Sequence, residues 1–136
     1  MACLDIRSTY VMTNDELAAI VATIVESRSR EGGLSLHQLL EQTRYRTVRP
    51  QLSVALLQRY LKEHPAHLEE WEFYSEDKRT DGGSYLSRWG PLWEVGELTT
   101  GRREFFFSRS RACATFILRE LDASAGHNRR RAGKHT

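Results

Sequence analysis

This chain of 136 residues has few of the features that mark several large classes of protein. It contains two cysteines, Cys3 and Cys113, and two thiols in a chain of this length do not indicate a disulfide framework. Its longest apolar run, Leu17–Val25, has nine residues, whereas a membrane-spanning helix needs about 20. The start, MACLDIRSTY, has no basic region followed by an apolar segment, so no secretory signal is predicted. These absences predict a reduced, cytoplasmic protein with no membrane partner.

The common catalytic signatures are also missing. The sequence has no G-x-S-x-G, no G-x-G-x-x-G, no P-loop and no H-E-x-x-H pattern. Cys113 lies between alanines on an apolar helix face, where a thiolate would be poorly solvated, so we predict a structural role for it. His64 and His67 are three residues apart, but Pro65 lies between them and this spacing alone is weak evidence for a metal site. We therefore expect no enzymatic activity, no cofactor and no metal.

Charge is unevenly distributed along the chain. The formal net charge is +2, but residues 126–136 hold four Lys/Arg and no acids. The remaining 16 basic and 18 acidic residues give 1–125 a net charge of −2. We predict a single α+β domain over residues 1–125 and a basic, disordered tail over residues 126–136.

Three helices are predicted in the first half. Thr13 and Glu16 have the spacing of a capping box, and the residues after them repeat apolar side chains at helical intervals. The segment SLHQLLEQT repeats this plan, and a third helix is predicted from Pro50, because proline is favoured at the first helical position.

The second half predicts an antiparallel sheet. Apolar alternation between turn signals places its strands at Trp71–Ser75, Ser84–Arg88, Trp93–Leu98 and Glu104–Ser108. The turns are Asp81-Gly82-Gly83, Gly90-Pro91 and Thr99-Thr100-Gly101. A last helix, Arg109–Ala123, turns Cys113, Phe116, Ile117 and Leu121 to one side. The predicted fold is therefore α+β, with an N-terminal three-helix segment, a four-stranded antiparallel meander and a C-terminal helix packed on the sheet.

The segment 71–98 combines three tryptophans and two tyrosines with a dense run of charge, and residues 63–81 carry seven acids and two bases. As a strand, this segment would bury Trp71 and Phe73 and present its other side chains. Aromatic rings among charges are typical of electrostatically steered protein interfaces. The predicted partner-binding residues are Glu70, Glu72, Tyr74, Glu76, Asp77, Lys78, Arg79 and Asp81. An open meander would also leave an edge strand through which two copies could form a homodimer.

The alternative is a winged-helix regulator that binds DNA. Arg44, Arg46 and Arg49 lie near the start of the predicted third helix, where a recognition helix meets DNA, and Asp81–Gly83 would form the wing. The acidic charge of residues 63–81 disfavours this reading, because it repels phosphate.

Three stretches resemble a known family: EEWEFYSEDKRTDGGSYL, WEVGEL and EFFFSRSRACATFILREL. Residues 69–121 resemble small immunity proteins of bacterial polymorphic and contact-dependent toxin systems, although Ser84 stands where these proteins usually carry a bulky aromatic residue. The resemblance implies a cognate toxin as partner, such as a basic nuclease. It also implies inhibition by covering the toxin's active or substrate-binding surface, without catalysis.

Overall fold

Five helices precede a three-stranded sheet and a sixth helix follows it, in the residues that the structure describes. The structure is a computed structural model, which describes residues 11–29, 36–77 and 83–135. The helices are α1 (Asn14–Ser29), α2 (Leu36–Gln42), α3 (Tyr45–Val48), α4 (Val54–Glu63), α5 (Pro65–Asp77) and α6 (Arg109–His135). The strands are β1 (Ser84–Trp89), β2 (Leu92–Glu97) and β3 (Arg103–Phe106). The α+β class is confirmed, whereas the predicted counts of three N-terminal helices and four strands are wrong for the described residues.

Helix α1 begins at the predicted capping box. The Thr13 amide donates to Glu16 Oε1 at 3.0 Å, and the Glu16 amide donates to Thr13 Oγ1 at 3.1 Å. This reciprocal pair satisfies two backbone donors that the first turn would otherwise leave without partners.

The third predicted helix begins later than expected. Pro50 lies in a 3₁₀ turn, Arg49–Gln51, instead of opening a helix. The start of α4 is set by Ser53, whose hydroxyl accepts a hydrogen bond from the Leu56 amide at 3.1 Å. A serine at this position satisfies a free amide of the first turn, which proline cannot do.

The segment predicted as the first strand, Trp71–Ser75, is instead the C-terminal part of helix α5. Pro65 opens this helix, where its fixed φ and missing N–H are tolerated. The helical period places Leu68, Trp71 and Ser75 on one buried face. The Trp71 indole N–H donates to the carbonyl of Val21 in α1 at 2.9 Å. A strand would have buried every second side chain, so this correction changes which residues of the segment face outward.

The sheet is an antiparallel meander in the order β1-β2-β3. Trp89 pairs with Leu92 across the two-residue turn Gly90-Pro91. Gly90 has a φ of 58°, which residues other than glycine rarely adopt. Both this turn and the one at residues 99–101 are confirmed. Gly83 lies between α5 and β1, so the third predicted turn does not connect two strands, and Asp81 and Gly82 lie outside the described residues.

Helix α5 also covers the outer edge of β1. The buried Ser75 hydroxyl accepts a hydrogen bond from the Leu86 amide at 2.7 Å and donates one to the Leu86 carbonyl at 3.2 Å. Backbone groups on the outer side of an edge strand need hydrogen-bond partners, and the Ser75 hydroxyl is the partner of both the amide and the carbonyl of Leu86. Polar contacts therefore fix α5 to the sheet in addition to packing.

Helix α6 packs on one face of the sheet, as predicted. The side chains predicted to face inward are all fully buried: Cys113, Phe116, Ile117 and Leu121. The helix starts at the predicted Arg109 and continues through His135, so it includes most of the segment for which the sequence predicted disorder. The division into a domain of residues 1–125 and a separate tail of residues 126–136 stays a prediction.

Candidate functional site

The described part of the predicted partner-binding segment lies on helix α5, whose 13 residues include five acids and no Lys or Arg. The predicted residues on this helix are Glu70, Glu72, Tyr74, Glu76 and Asp77. Lys78, Arg79 and Asp81 lie outside the described residues. The acids that the sequence predicted to lie on a strand are therefore carried by a helix.

Phe73 lies on the outward face of α5, contrary to the expectation that it would be buried. Its side chain is 65% exposed. Glu69 and Glu76, four residues before it and three after it, are also exposed and share its side of the helix. We call Glu69, Glu72, Phe73 and Glu76 the α5 surface. It consists of one aromatic ring among three carboxylates.

Tyr74 faces inward instead of forming part of this surface. Its hydroxyl donates to a carboxylate oxygen of Glu120 in α6, and its ring meets the edge of Trp71 at a centroid distance of 5.5 Å. Tyr74 therefore anchors α5 to the body of the protein. Strand alternation groups Phe73 with Trp71 and turns Tyr74 outward. Helical spacing instead groups Tyr74 with Trp71 and turns Phe73 outward.

Glu72 forms an ion pair at the edge of the α5 surface. Both of its carboxylate oxygens accept hydrogen bonds from Arg109, each at 2.6 Å. This hydrogen bonding raises the pKa of Arg109 above its ordinary value. The Arg109 guanidinium also lies 5.8 Å from the ring of Trp93, and Arg88 lies 5.5 Å from the same ring. Cation–π contacts thus hold two arginines on Trp93 beside the acidic helix.

A cleft of about 330 Å³ lies between α5 and the sheet. Its lining includes two acidic side chains from α5, Glu72 and Glu76, and the Arg88 and Trp93 side chains from the sheet. The cleft therefore continues the α5 surface toward β1, with charges of both signs.

The arginines of the DNA-binding alternative contact other parts of the protein. Arg49 makes a two-point ion pair with Asp122 of α6, at 2.8 and 2.9 Å. Arg46 donates to the Ala125 carbonyl at 3.0 Å, and Arg44 lies 3.6 Å from a carboxylate oxygen of Glu16. A recognition helix instead presents such side chains to base edges.

The histidine pair considered as a metal site has other contacts. His64 Nδ1 lies 2.9 Å from the Tyr60 carbonyl oxygen, and His67 Nδ1 lies 3.1 Å from Glu70 Oε1. Within the described residues, no group of three or more His, Cys, Asp or Glu side chains could hold a metal ion.

Sequence reasoning missed a polar cluster around Glu94, on the sheet face opposite α6. The carboxylate is 2% exposed and accepts hydrogen bonds from the Tyr85 hydroxyl at 2.6 Å, the Trp89 indole at 2.5 Å and Arg103 Nε at 2.7 Å. Burial raises the pKa of Glu94, but the hydrogen bonds from Tyr85, Arg103 and Trp89 lower it, and the net pKa lies below the ordinary value. Alternation along β2 could have placed Glu94 on this face, but no local pattern indicates its burial.

Glu94 should stabilise the fold most at neutral pH. A carboxyl group whose folded pKa is depressed stabilises the protein above its ordinary pKa of 4.5, and that stabilisation is lost as pH falls through the folded pKa. Glu94→Gln is expected to lower the free energy of unfolding at pH 7 by about 1–3 kcal/mol, because one buried carboxylate oxygen becomes an NH₂ group that cannot accept the hydrogen bonds Glu94 receives.

Urea denaturation of both proteins at pH 7 and in acid would check this expectation. The difference between them should shrink below pH 4.5. Glu97→Gln is the matched control on the same strand, since an amide oxygen can still accept the hydrogen bond that Thr100 donates to Glu97. A difference between wild type and Glu94→Gln that does not change with pH would contradict the ionised pair.

Among the described residues, no helix combines the length and apolar character needed to cross a membrane. Comparisons with protein-family models, with curated protein sequences and with solved structures find no significant match to this chain.

Proposed function

We propose that this chain is a non-catalytic protein-binding module that captures a basic protein through the α5 surface. The role that fits this chemistry is that of an immunity protein, which neutralises a bacterial toxin by covering its substrate-binding surface. The observation that carries the proposal is the exposure of Phe73 among Glu69, Glu72 and Glu76.

An exposed aromatic ring among charges has the composition of an interface centre. Binding energy concentrates in a few buried anchors, often aromatic, while surrounding polar groups exclude water and set orientation. Phe73 would be the anchor and would become buried only when the partner binds. Glu69 and Glu76 would meet basic side chains of the partner at the rim, where charge accelerates association.

The placement of acids on α5 lowers the stability of the free protein. Glu76 and Asp77 lie in the last turn, where the partial negative charge of the helix end disfavours carboxylates. Glu69, Glu72 and Glu76 also lie at intervals of three and four residues, where like charges repel. A basic partner would relieve both effects, so the arrangement suits a surface that acts in a complex.

A basic nuclease is the class of toxin that this surface fits best. Such an enzyme attracts phosphates with Lys and Arg side chains, and carboxylates can occupy the same positions. The inhibitor then needs no catalytic group, since it acts by occupying the site. Rapid capture at low ionic strength and slower capture in salt are the expected kinetics.

Glu76→Lys should stabilise the free protein while weakening capture of the partner. A lysine here matches the helix dipole and lies four residues after Glu72, so the free energy of unfolding should rise by about 0.3–1 kcal/mol. The association rate with a basic nuclease domain that the wild-type protein captures should fall several-fold, and its salt dependence should weaken. Stopped-flow kinetics at two salt concentrations and urea denaturation measure the two effects.

Glu63→Lys is the matched control, because it makes the same charge change in the last turn of α4. The helix dipole favours lysine there too, but Arg59 lies four residues earlier, so stability should rise less than in Glu76→Lys, and capture should be nearly unaffected. Toxin capture that Glu76→Lys leaves unchanged would contradict the proposed surface. Tight binding of duplex DNA that is lost in an Arg44→Ala, Arg46→Ala, Arg49→Ala variant would favour the DNA-binding alternative.

A further inference from the structure

The face of the sheet that points away from α6, which we call the open face, carries exposed apolar side chains that include Trp89 and Phe105. Six large hydrophobic residues are exposed in the described part of the chain. Four of them lie on the strands or directly beside them: Trp89, Leu98, Phe105 and Phe107. Contiguous exposed apolar patches on folded proteins mark interaction sites, because leaving them in water is unfavourable.

The strand register arranges this open face in rows across the sheet. One row joins Trp89 to Leu92. The next row contains Ser87, Glu94 and Phe105, and the third contains Tyr85, Gly96 and Arg103. The first row is apolar, while the third ends in a guanidinium, so the two ends of the face differ in chemistry.

The charges on these three rows cancel. Glu94 is buried and paired with Arg103, whose guanidinium also lies 5.2 Å from the ring of Phe105. The face would therefore neither attract nor repel a partner strongly by charge. It differs in this respect from the α5 surface, which would repel a second α5 surface.

We propose that the open face binds a second copy of this chain, forming a two-fold dimer in which the two sheets pack face to face. In a two-fold interface each patch contacts its own copy. The two-fold axis would lie between the two sheets and run perpendicular to their strands. It would place the row that contains Trp89 in one copy opposite the row that contains Tyr85 and Arg103 in the other. Trp89 and Tyr85 both lie on β1, so the Trp89 ring of each copy then meets the Tyr85 ring of the other, which is a favourable contact.

The same axis places Phe105 of one copy opposite Phe105 of the other, because it lies in the middle row. Glu94 lies in this row too and faces its own copy, but each Glu94 carboxylate is neutralised by Arg103 of its own chain. Stacked sheets pack about 10 Å apart, a distance that two facing aromatic side chains can fill. Helix α5 packs at the edge and back of the sheet, through Ser75 and Leu86, so the α5 surface stays accessible in the dimer. The dimer is therefore independent of the proposed capture of a basic protein.

Mutations at position 105 test this geometry directly. At about 100 µM, well above the micromolar range in which modest interfaces dissociate, wild type should have twice the chain mass of 15.7 kDa by light scattering. Phe105→Lys and Phe105→Glu should each be monomeric, because like charges would face one another across the axis. An equimolar mixture of the two variants should recover the dimer mass, since opposite charges then face one another.

Phe73→Lys is the matched control, because it introduces the same charge at an exposed phenylalanine on α5, and its mass should stay that of the dimer. Circular dichroism would establish that each variant is folded. A wild type that is monomeric at 100 µM would overturn the proposal. So would a Phe105→Lys variant that stays dimeric, or a mixture of the two charge variants that stays monomeric.

Discussion

Replacing Trp71 with alanine is expected to lower the free energy of unfolding by about 3–5 kcal/mol, the range for a fully buried large aromatic side chain. The Trp71 ring has no exposed surface and meets the rings of Tyr74 and Phe116 edge-on, at centroid distances of 5.5 and 6.2 Å. Its indole N–H also supplies the hydrogen bond to the Val21 carbonyl. The variant loses the packing and leaves this carbonyl without its donor. Urea denaturation with a far-ultraviolet signal measures the loss.

Phe73→Ala is the control that separates a helix from a strand at this segment. On helix α5, Phe73 is exposed and its removal should change stability by less than about 0.5 kcal/mol. In a strand, Trp71 and Phe73 would share the buried side and both substitutions would be costly. A large loss for Phe73→Ala would therefore contradict the helix.

Replacing Gly96 with alanine is expected to lower the free energy of unfolding by about 2–3 kcal/mol. Gly96 pairs with Tyr85 across β1 and β2, and the Tyr85 ring lies over it. A Cβ atom at position 96 would lie 2.5 Å from Cζ and 2.8 Å from Cε2 of that ring, closer than atoms tolerate. Tyr85 would have to move, and Glu94 would lose one of its three donors. Thermal or urea unfolding of the purified variant measures this cost.

Gly126→Ala makes the same substitution where the space is open. Apart from the adjacent residues and the backbone of α6 itself, no described atom lies within 4 Å of an added Cβ at this position, so alanine should leave stability unchanged or raise it by up to about 1 kcal/mol. The double variant Tyr85→Ala, Gly96→Ala should cost less than the sum of the two single changes, because without the ring there is no clash and the hydrogen bond from Tyr85 to Glu94 is lost only once. Additive losses would show that the Tyr85 ring does not occupy the space above Gly96.

Several local features could be predicted because their causes lie within a few residues. Thr13 and Glu16 form the predicted box, since both partners belong to one helical turn. Gly90 and Gly101 make the two predicted turns, because positive φ is a property of the residue itself. The apolar face of α6 was predicted from spacing alone and is buried as expected. The acids predicted to lie on a strand lie on helix α5 instead, and their role in binding a partner stays a prediction.

The sequence by itself determined the α+β class, two of the turns, the start and buried face of the last helix and the concentration of acid before the sheet. Only the tertiary structure decided that residues 71–75 are helical. Their apolar pattern fits both a helix and a strand, so the choice between the two depends on partners elsewhere in the chain. Trp71 binds the Val21 carbonyl, 50 residues away, and Ser75 satisfies the edge of β1 at Leu86. Burial of Glu94 likewise required Tyr85, Trp89 and Arg103 to converge from two neighbouring strands. Contacts between residues far apart in the chain leave no periodic signal in the sequence, and for this reason the outward position of Phe73 could not be predicted.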